Sequence, residues 1–404
     1  MGKSQSKQGI LIFLCFAVYT AAYLGRYSYN SNINLIMAGY GVDHAQAGMV
    51  TTFFFVGYGV GQLINGFLCQ KYNMRLIFPL VLFSSSAINL ALYFGVPFGI
   101  VKFLWLLNAF LQSCLWPSIV QIISRYLDEV HRRRSIAALS CSTAVGTFLI
   151  YLISTVFAQL NFRMTFVTAA AVMSLIGVLW IILFPMIRPA QTLRQSAAPA
   201  AESDENESAS RANSVVGTVV VLCLFAVIHN FIKDGLQTWV PSILKETHDL
   251  GDSLSILLSL VLPLLGTLGS IFALTLEKKI HNLVWLCVIF LGASAPLLLF
   301  VILEMKISVV LVLLAFGVTV LLMHAVNSVV TAMTPLMLKG STNSGRLAGI
   351  LNACCYVGSA ASSYTLGLLA DASGWNAVMI LLLGAILVGT LFGTVFNLAQ
   401  KRHG

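Results

Sequence analysis

The sequence predicts an all-α, polytopic membrane protein with twelve transmembrane helices in two pseudo-symmetric six-helix bundles. Three observations carry that prediction. Charged residues make up only 9% of the 404 positions while 58% are hydrophobic, against about 25% charged in a typical soluble domain. Too few polar side chains remain to cover a surface in water. Uninterrupted apolar runs recur along the chain at the roughly 20 residues that a helix needs to cross the hydrocarbon core, instead of the short alternating segments of an outer-membrane barrel. A single polar stretch, 188–213, leaves 187 residues before it and 191 after, each enough for six spans, as a duplicated transporter would show.

Reading charged and Gly/Pro-rich breaks as turns places the first six spans near 10–38, 45–69, 77–95, 98–125, 135–159 and 164–187. Span 1 follows Lys3 and Lys7 as a signal peptide would. Its apolar run is too long and lacks a small-residue cleavage pattern, so it reads as a membrane helix. Within it, Tyr19, Tyr23 and Arg26 are spaced by four and three residues and share one helix face. Span 2 carries Tyr58 and Gln62, four apart, in a small-residue run that permits close helix contact. Prolines such as Pro117, Pro241, Pro263 and Pro335 lie in or at the ends of spans, where they kink helices or act as hinges.

Arg188–Asn213 is rich in Ala, Ser, Glu and Pro, which bury no core, and reads as a flexible cytoplasmic linker. Six more spans follow near 215–240, 254–276, 282–303, 307–335, 346–370 and 374–398. The expected domains are therefore 1–187, the linker 188–213, and 214–404. With both termini cytoplasmic, inside segments collect 17 of the 23 basic residues and outside turns only Lys102, Arg163, Lys245 and Lys306, as the positive-inside rule requires. The net charge of +9 then reads as a collar facing anionic headgroups of an inner cell membrane, not as a nucleic-acid surface. The eight cysteines show no CxxC or Cys/His spacing, so neither a disulfide nor a metal site is expected. A monomer without cofactor is expected.

Two basic residues are left inside spans: Arg26, 16 residues into span 1, and Lys233, about 18 into span 7. An ionisable group at that depth costs ~3 kcal/mol or more, so its default reading is functional. Duplication would set the two facing each other across a central cavity, where two cations describe an anion site and the planar guanidinium suits phosphate or carboxylate oxygens. The structural alternative is that one or both pair with a buried acid, Asp234 being the only acidic residue well inside a span, or snorkel to the outer surface. Asp234 can also carry a proton or balance a cation, and His324 in span 10 and His229 in span 7 can shuttle protons or simply pack. There is no P-loop, GxSxG or HExxH constellation, so the chain does not read as an enzyme.

The six-plus-six layout resembles the major facilitator superfamily. The turn Gly66-Phe67-Leu68-Cys69-Gln70-Lys71-Tyr72-Asn73-Met74-Arg75 is similar to its G-x-L-x-D-[RK]-x-G-x-[RK] signature, with Gly66, Lys71 and Arg75 matching and Gln70 at the acidic position. More specifically, several segments resemble the organophosphate:phosphate antiporters: the AAY-x-x-R of span 1, Tyr58-Gly59, Gln112-x-x-x-Trp116-Pro117, Lys233-x-Gly235-Leu236-x-x-Trp239-x-Pro241, and Tyr356-x-Gly358 with Asp371-x-x-Gly374-Trp375.

That resemblance implies a phosphate clamp of Arg26 and Lys233, with Tyr19, Tyr23, Tyr58, Gln62 and Thr143 around the rest of the substrate. Gln112, Trp116, Pro117 and Trp239 would be structural. Thr143 stands where the glycerol-3-phosphate carrier has histidine, Gln62 replaces a lysine and Thr238 an aspartate, so substrate identity does not transfer. The expected function is secondary transport of a small organic anion, a phosphorylated metabolite exchanged for inorganic phosphate. The alternatives are proton-coupled symport of a sugar acid and a carrier-like hexose-phosphate sensor.

Overall fold

The computed structural model describes residues 2–127, 129–187, 209–306, 308–338 and 344–403, and among these every regular element is helical. Helix α1 (Gly2–Tyr27) passes through a 3-10 turn (Asn30–Asn32) into α2 (Ile33–Tyr40). Gly41 closes α2 with φ 64°, a left-handed conformation natural to glycine. Asp43 then opens α3 (His44–Leu68) with a reciprocal capping box to Gln46. Helix α4 (Met74–Tyr93) starts under the Asn73 cap. The fourth predicted span is two helices, α5 (Phe98–Gln112) and α6 (Leu115–Tyr126), broken ahead of Pro117. Helices α7 (Glu129–Phe157) and α8 (Met164–Ile187) complete the first half.

In the second half α9 (Ala209–His248) begins inside the predicted linker, whose last five residues are therefore helical; 188–208 lie outside the described residues. The eighth predicted span is again split, into α10 (Asp252–Ser259) and α11 (Val261–Glu277), just before Pro263. Helix α12 (Leu283–Glu304) is capped by the Asn282 side chain. Helix α13 (Val309–Ser328) loosens into a π-turn (Val329–Met333) and the short α14 (Thr334–Met337), which carries Pro335. The long α15 (Ser344–His403) is broken at Gly374, where φ 76° and ψ 173° suit glycine alone.

Ten described helical segments are long and apolar enough to cross a membrane. The last, Arg346–Gln400, contains the Gly374 break, and a shorter apolar stretch, Cys141–Phe157, lies in α7. The count of twelve spans depends on reading that break as two crossings and 141–157 as another. Helix α1 packs on α7 and α8 and α4 on α8 in the first half; α9 and α12 pack on α15 and α11 on α13 in the second. The two sets meet mainly along α3 and α15. There Gly48 lies against the Ser363 backbone and Gly367 against the His44 carbonyl, so a Cβ at either would collide with backbone.

Candidate functional site

The last turn of α1 presents Arg26 to the space between the two sets of helices. Tyr19 and Tyr23, on the same face by their spacing, lie with ring centroids 5.2 Å apart. The guanidinium carbon is 4.5 Å from the Tyr23 ring centre, 4.2 Å from that of Tyr58 and 5.3 Å from that of Phe54. The charge is thus flanked by aromatic faces, which stabilise a cation by about 0.5–2 kcal/mol each, more where water is excluded. Among the described residues no carboxylate pairs with Arg26, and its Nε is buried with no hydrogen-bond partner. A guanidinium held by rings keeps its in-plane N–H groups for an acceptor that arrives.

The opposite wall comes from α9 and α15. Tyr356 closes the aromatic group from that side, its ring 5.1 Å from Tyr58. Lys233 is not the free cation expected: its Nζ lies 3.4 Å from Asp234 Oδ1, with both side chains nearly buried. Residues i and i+1 on a helix point about 100° apart, but the lysine stem is long enough to fold back. Asp234 also accepts a short hydrogen bond from the Ser359 hydroxyl, and Ser359 accepts one from Asn230 Nδ2 at 3.1 Å. Arg26 with the Lys233–Asp234 pair therefore carries a formal net charge of +1, not +2.

Trp116 packs on Tyr19 with ring centroids 5.2 Å apart, behind the tyrosine face, and Pro117 follows the break that lets it turn there. Gln112 donates to Asn108 Oδ1 at 3.1 Å and braces α5 internally. Gln62, one turn along α3 from Tyr58, donates to the Ser113 carbonyl at 3.2 Å. Thr143 lies one turn before Gly146, whose Cα side faces Tyr23 and the Thr20 carbonyl. His324 stacks against Gly266 and Gly269 of α11, and its Nε2 is buried without a partner. His229 donates from Nδ1 to the Phe225 carbonyl at 2.6 Å, and its Nε2 lies 3.2 Å from Asn327 Oδ1.

The signature turn lies near the termini, away from Arg26. Gly66 has nothing within reach of a Cβ, Lys71 is exposed, and Arg75 shares with Arg125, Tyr72 and Tyr126 the lining of a cavity of about 440 Å³. Trp239 donates to the Ser363 carbonyl at 3.1 Å, bridging α9 and α15 at the other end. That end, opposite the termini, is closed by contacts between the halves. Asn30 Nδ2 donates to Thr238 at 3.2 Å, Ser242 to Asn34 at 2.5 Å, Thr52 to the Ala360 carbonyl at 2.7 Å, and Ser253 to the Thr155 carbonyl at 2.7 Å.

Sequence reasoning left Phe54, Tyr356, Asn230 and Ser359 out of the site. Tyr356 was visible as a tyrosine within an apolar span, and Asn230 and Ser359 as polar residues within theirs; Phe54 carries no signal apart from its four-residue offset to Tyr58.

The chain matches the model of the Major Facilitator Superfamily over residues 15–360. It is 25% identical over 123 residues to the membrane sensor protein UhpC of Escherichia coli (strain K12), covering 30% of this chain and 27% of that one. It is 25% identical over 142 residues to a probable hexose phosphate transport protein of Chlamydia pneumoniae, covering 35% and 31%. A hexuronate transporter of Bacillus subtilis (strain 168) is 23% identical over 276 residues, 66% of this chain and 63% of that one. Each alignment spans less than two thirds of the relative's own length. Among solved structures, a bacterial homologue of the human lysosomal transporter Spinster, inward-facing and occupied, superposes with a TM-score of 0.80 over 96% of both chains at 14% identity, a likeness of fold alone.

Proposed function

The chain belongs to the Major Facilitator Superfamily, and from that premise we propose that it is a secondary carrier of small organic anions, exchanging a sugar phosphate or glycerol phosphate for inorganic phosphate. The observation that carries this reading is Arg26, a guanidinium in the middle of the helix bundle with aromatic faces around it and no described carboxylate beside it. An anion bound there gains bidentate, charge-assisted hydrogen bonds in a poorly hydrated space. Tyr19, Tyr23, Tyr58, Gln62 and Thr143 form the N-terminal wall, Lys233 and Asp234 the C-terminal one, within bundles 1–187 and 214–404. The hexose-phosphate relative supports the choice of phosphate esters.

The Lys233–Asp234 pair sets the order of events. A phosphate oxygen reaches Lys233 by competing with Asp234, which keeps the hydrogen bond from the Ser359 hydroxyl. Because Arg26 is a buried cation with no described counter-charge, the empty carrier reorients reluctantly and the loaded one readily, which favours exchange over net uptake. The two bundles would rock about the bound anion to expose it to either side. Phosphate-loaded proteoliposomes test the exchange: sugar-phosphate uptake should require internal phosphate, and uptake that is indifferent to it would sink the mechanism.

A second reading is favoured by the net charge of +1. A sugar acid matches that charge singly, and the hexuronate relative has the longest of the three alignments. Asp234 would then be the proton carrier, and uptake driven by a pH step and lost in Asp234→Asn would select this reading.

A further inference from the structure

Away from Arg26, at the closed end, His44 opens α3 with both ring nitrogens on carboxylates of the other half. Nδ1 is 2.6 Å from Asp371 Oδ1 and Nε2 is 2.7 Å from Glu246 Oε1. Asp371 also accepts from the backbone N–H groups of His44 at 3.2 Å and Ala45 at 2.8 Å. A carboxylate of α15 thereby caps the first turn of α3 across the interface, where the helix dipole favours negative charge. Trp375 Nε1 donates to Glu246 Oε2 at 2.8 Å, and the rings of Trp239 and Trp375 lie 5.5 and 5.2 Å from the imidazole. The His44 side chain is 17% exposed, so water still reaches it.

We propose that His44, Glu246 and Asp371 form a proton-binding site whose occupancy fastens the two halves together at this end of the carrier. A neutral imidazole has one N–H and one lone pair. It can donate to one of the two carboxylates, and its other nitrogen would then turn a lone pair toward an oxygen at hydrogen-bond distance. The imidazolium donates to both, with charge assistance each time, and lowers the formal charge of the cluster from −2 to −1. The neighbouring charges are already engaged: Lys245 of α9 is held by Asp252 of α10 at 2.7 Å, and Asp43, before α3, accepts from the Gln46 N–H at 2.7 Å. The fastening is therefore present at low pH and lost as pH rises. It depends neither on Arg26 nor on which anion is carried.

Hydrogen–deuterium exchange of the full-length chain in lipid nanodiscs, without substrate and corrected for the chemical exchange rate, tests this. Protection of the first turns of α3 should fall about tenfold or more between roughly pH 6 and pH 9, the change produced by a one-unit difference in proton affinity between closed and parted states. His44→Gln should be poorly protected there and indifferent to pH. Glu246→Gln, which keeps His44 and the Asp371 cap, should flatten the profile. A flat wild-type profile, a slope that persists in His44→Gln, a Glu246→Gln slope equal to wild type, or an equal loss of protection in α12 would each overturn the proposal.

Discussion

Arg26 and Lys233 look alike in the sequence, as lone cations at similar depth in the first span of each half, yet their surroundings differ. Arg26 meets ring faces of Tyr23 and Tyr58, whereas Lys233 meets a carboxylate one residue away. Removing one partner of a buried charged pair costs about 2–5 kcal/mol, roughly 30-fold or more in affinity. Arg26→Ala should therefore abolish measurable anion binding by titration calorimetry. Arg26→Lys should recover only part of it, because an ammonium keeps the charge but lacks the planar fork. Asp234→Asn should act oppositely on the phosphate reading: with its counter-charge gone, Lys233 is free, and phosphate should bind about tenfold or more tightly by the same titration. The depth of both cations was legible from hydropathy. The ion pair was visible only as the alternative reading, because helical spacing sets adjacent side chains apart and only the bend of the lysine stem brings them together.

At the scale of the helix, departures from straight spans occur next to proline or glycine, except for the 3-10 turn at Asn30–Asn32 in the first span. Breaks precede Pro117 and Pro263, a π-turn precedes Pro335, and Gly374 parts the two arms of α15. A proline removes the N–H that would continue the ladder, so the turns before it can open without losing a bond. Gly374→Ala should lower stability by about 1–3 kcal/mol, because its φ and ψ lie in a region reserved for glycine; a calorimetric melt that does not shift downward would contradict the geometry. Span positions were readable from apolar runs, but helix ends were not. Helix α9 extends back to Ala209 through a segment whose Ala- and Ser-rich composition suggested a linker, since helix can propagate from a stable core into a weakly polar flank.

For the whole molecule, the contacts that join the halves lie along α3 and α15 and concentrate at the end opposite the termini. The sequence could suggest two bundles from the central polar stretch, but which surfaces meet depends on pairings between residues more than two hundred positions apart, such as Asn30 with Thr238 and His44 with Asp371. Gly48→Leu should hold this end open, since a side chain there collides with the Ser363 backbone; exchange protection of α3 should drop while that of α12 is kept. The proposed alternating access would require that such contacts break and re-form while an anion stays on Arg26. The most direct measurement is calorimetric titration of inorganic phosphate, a hexose phosphate and a hexuronate into the wild-type protein and Arg26→Ala. At least one anion should bind the wild type and none the variant; an anion that binds both proteins equally would contradict a site built on Arg26.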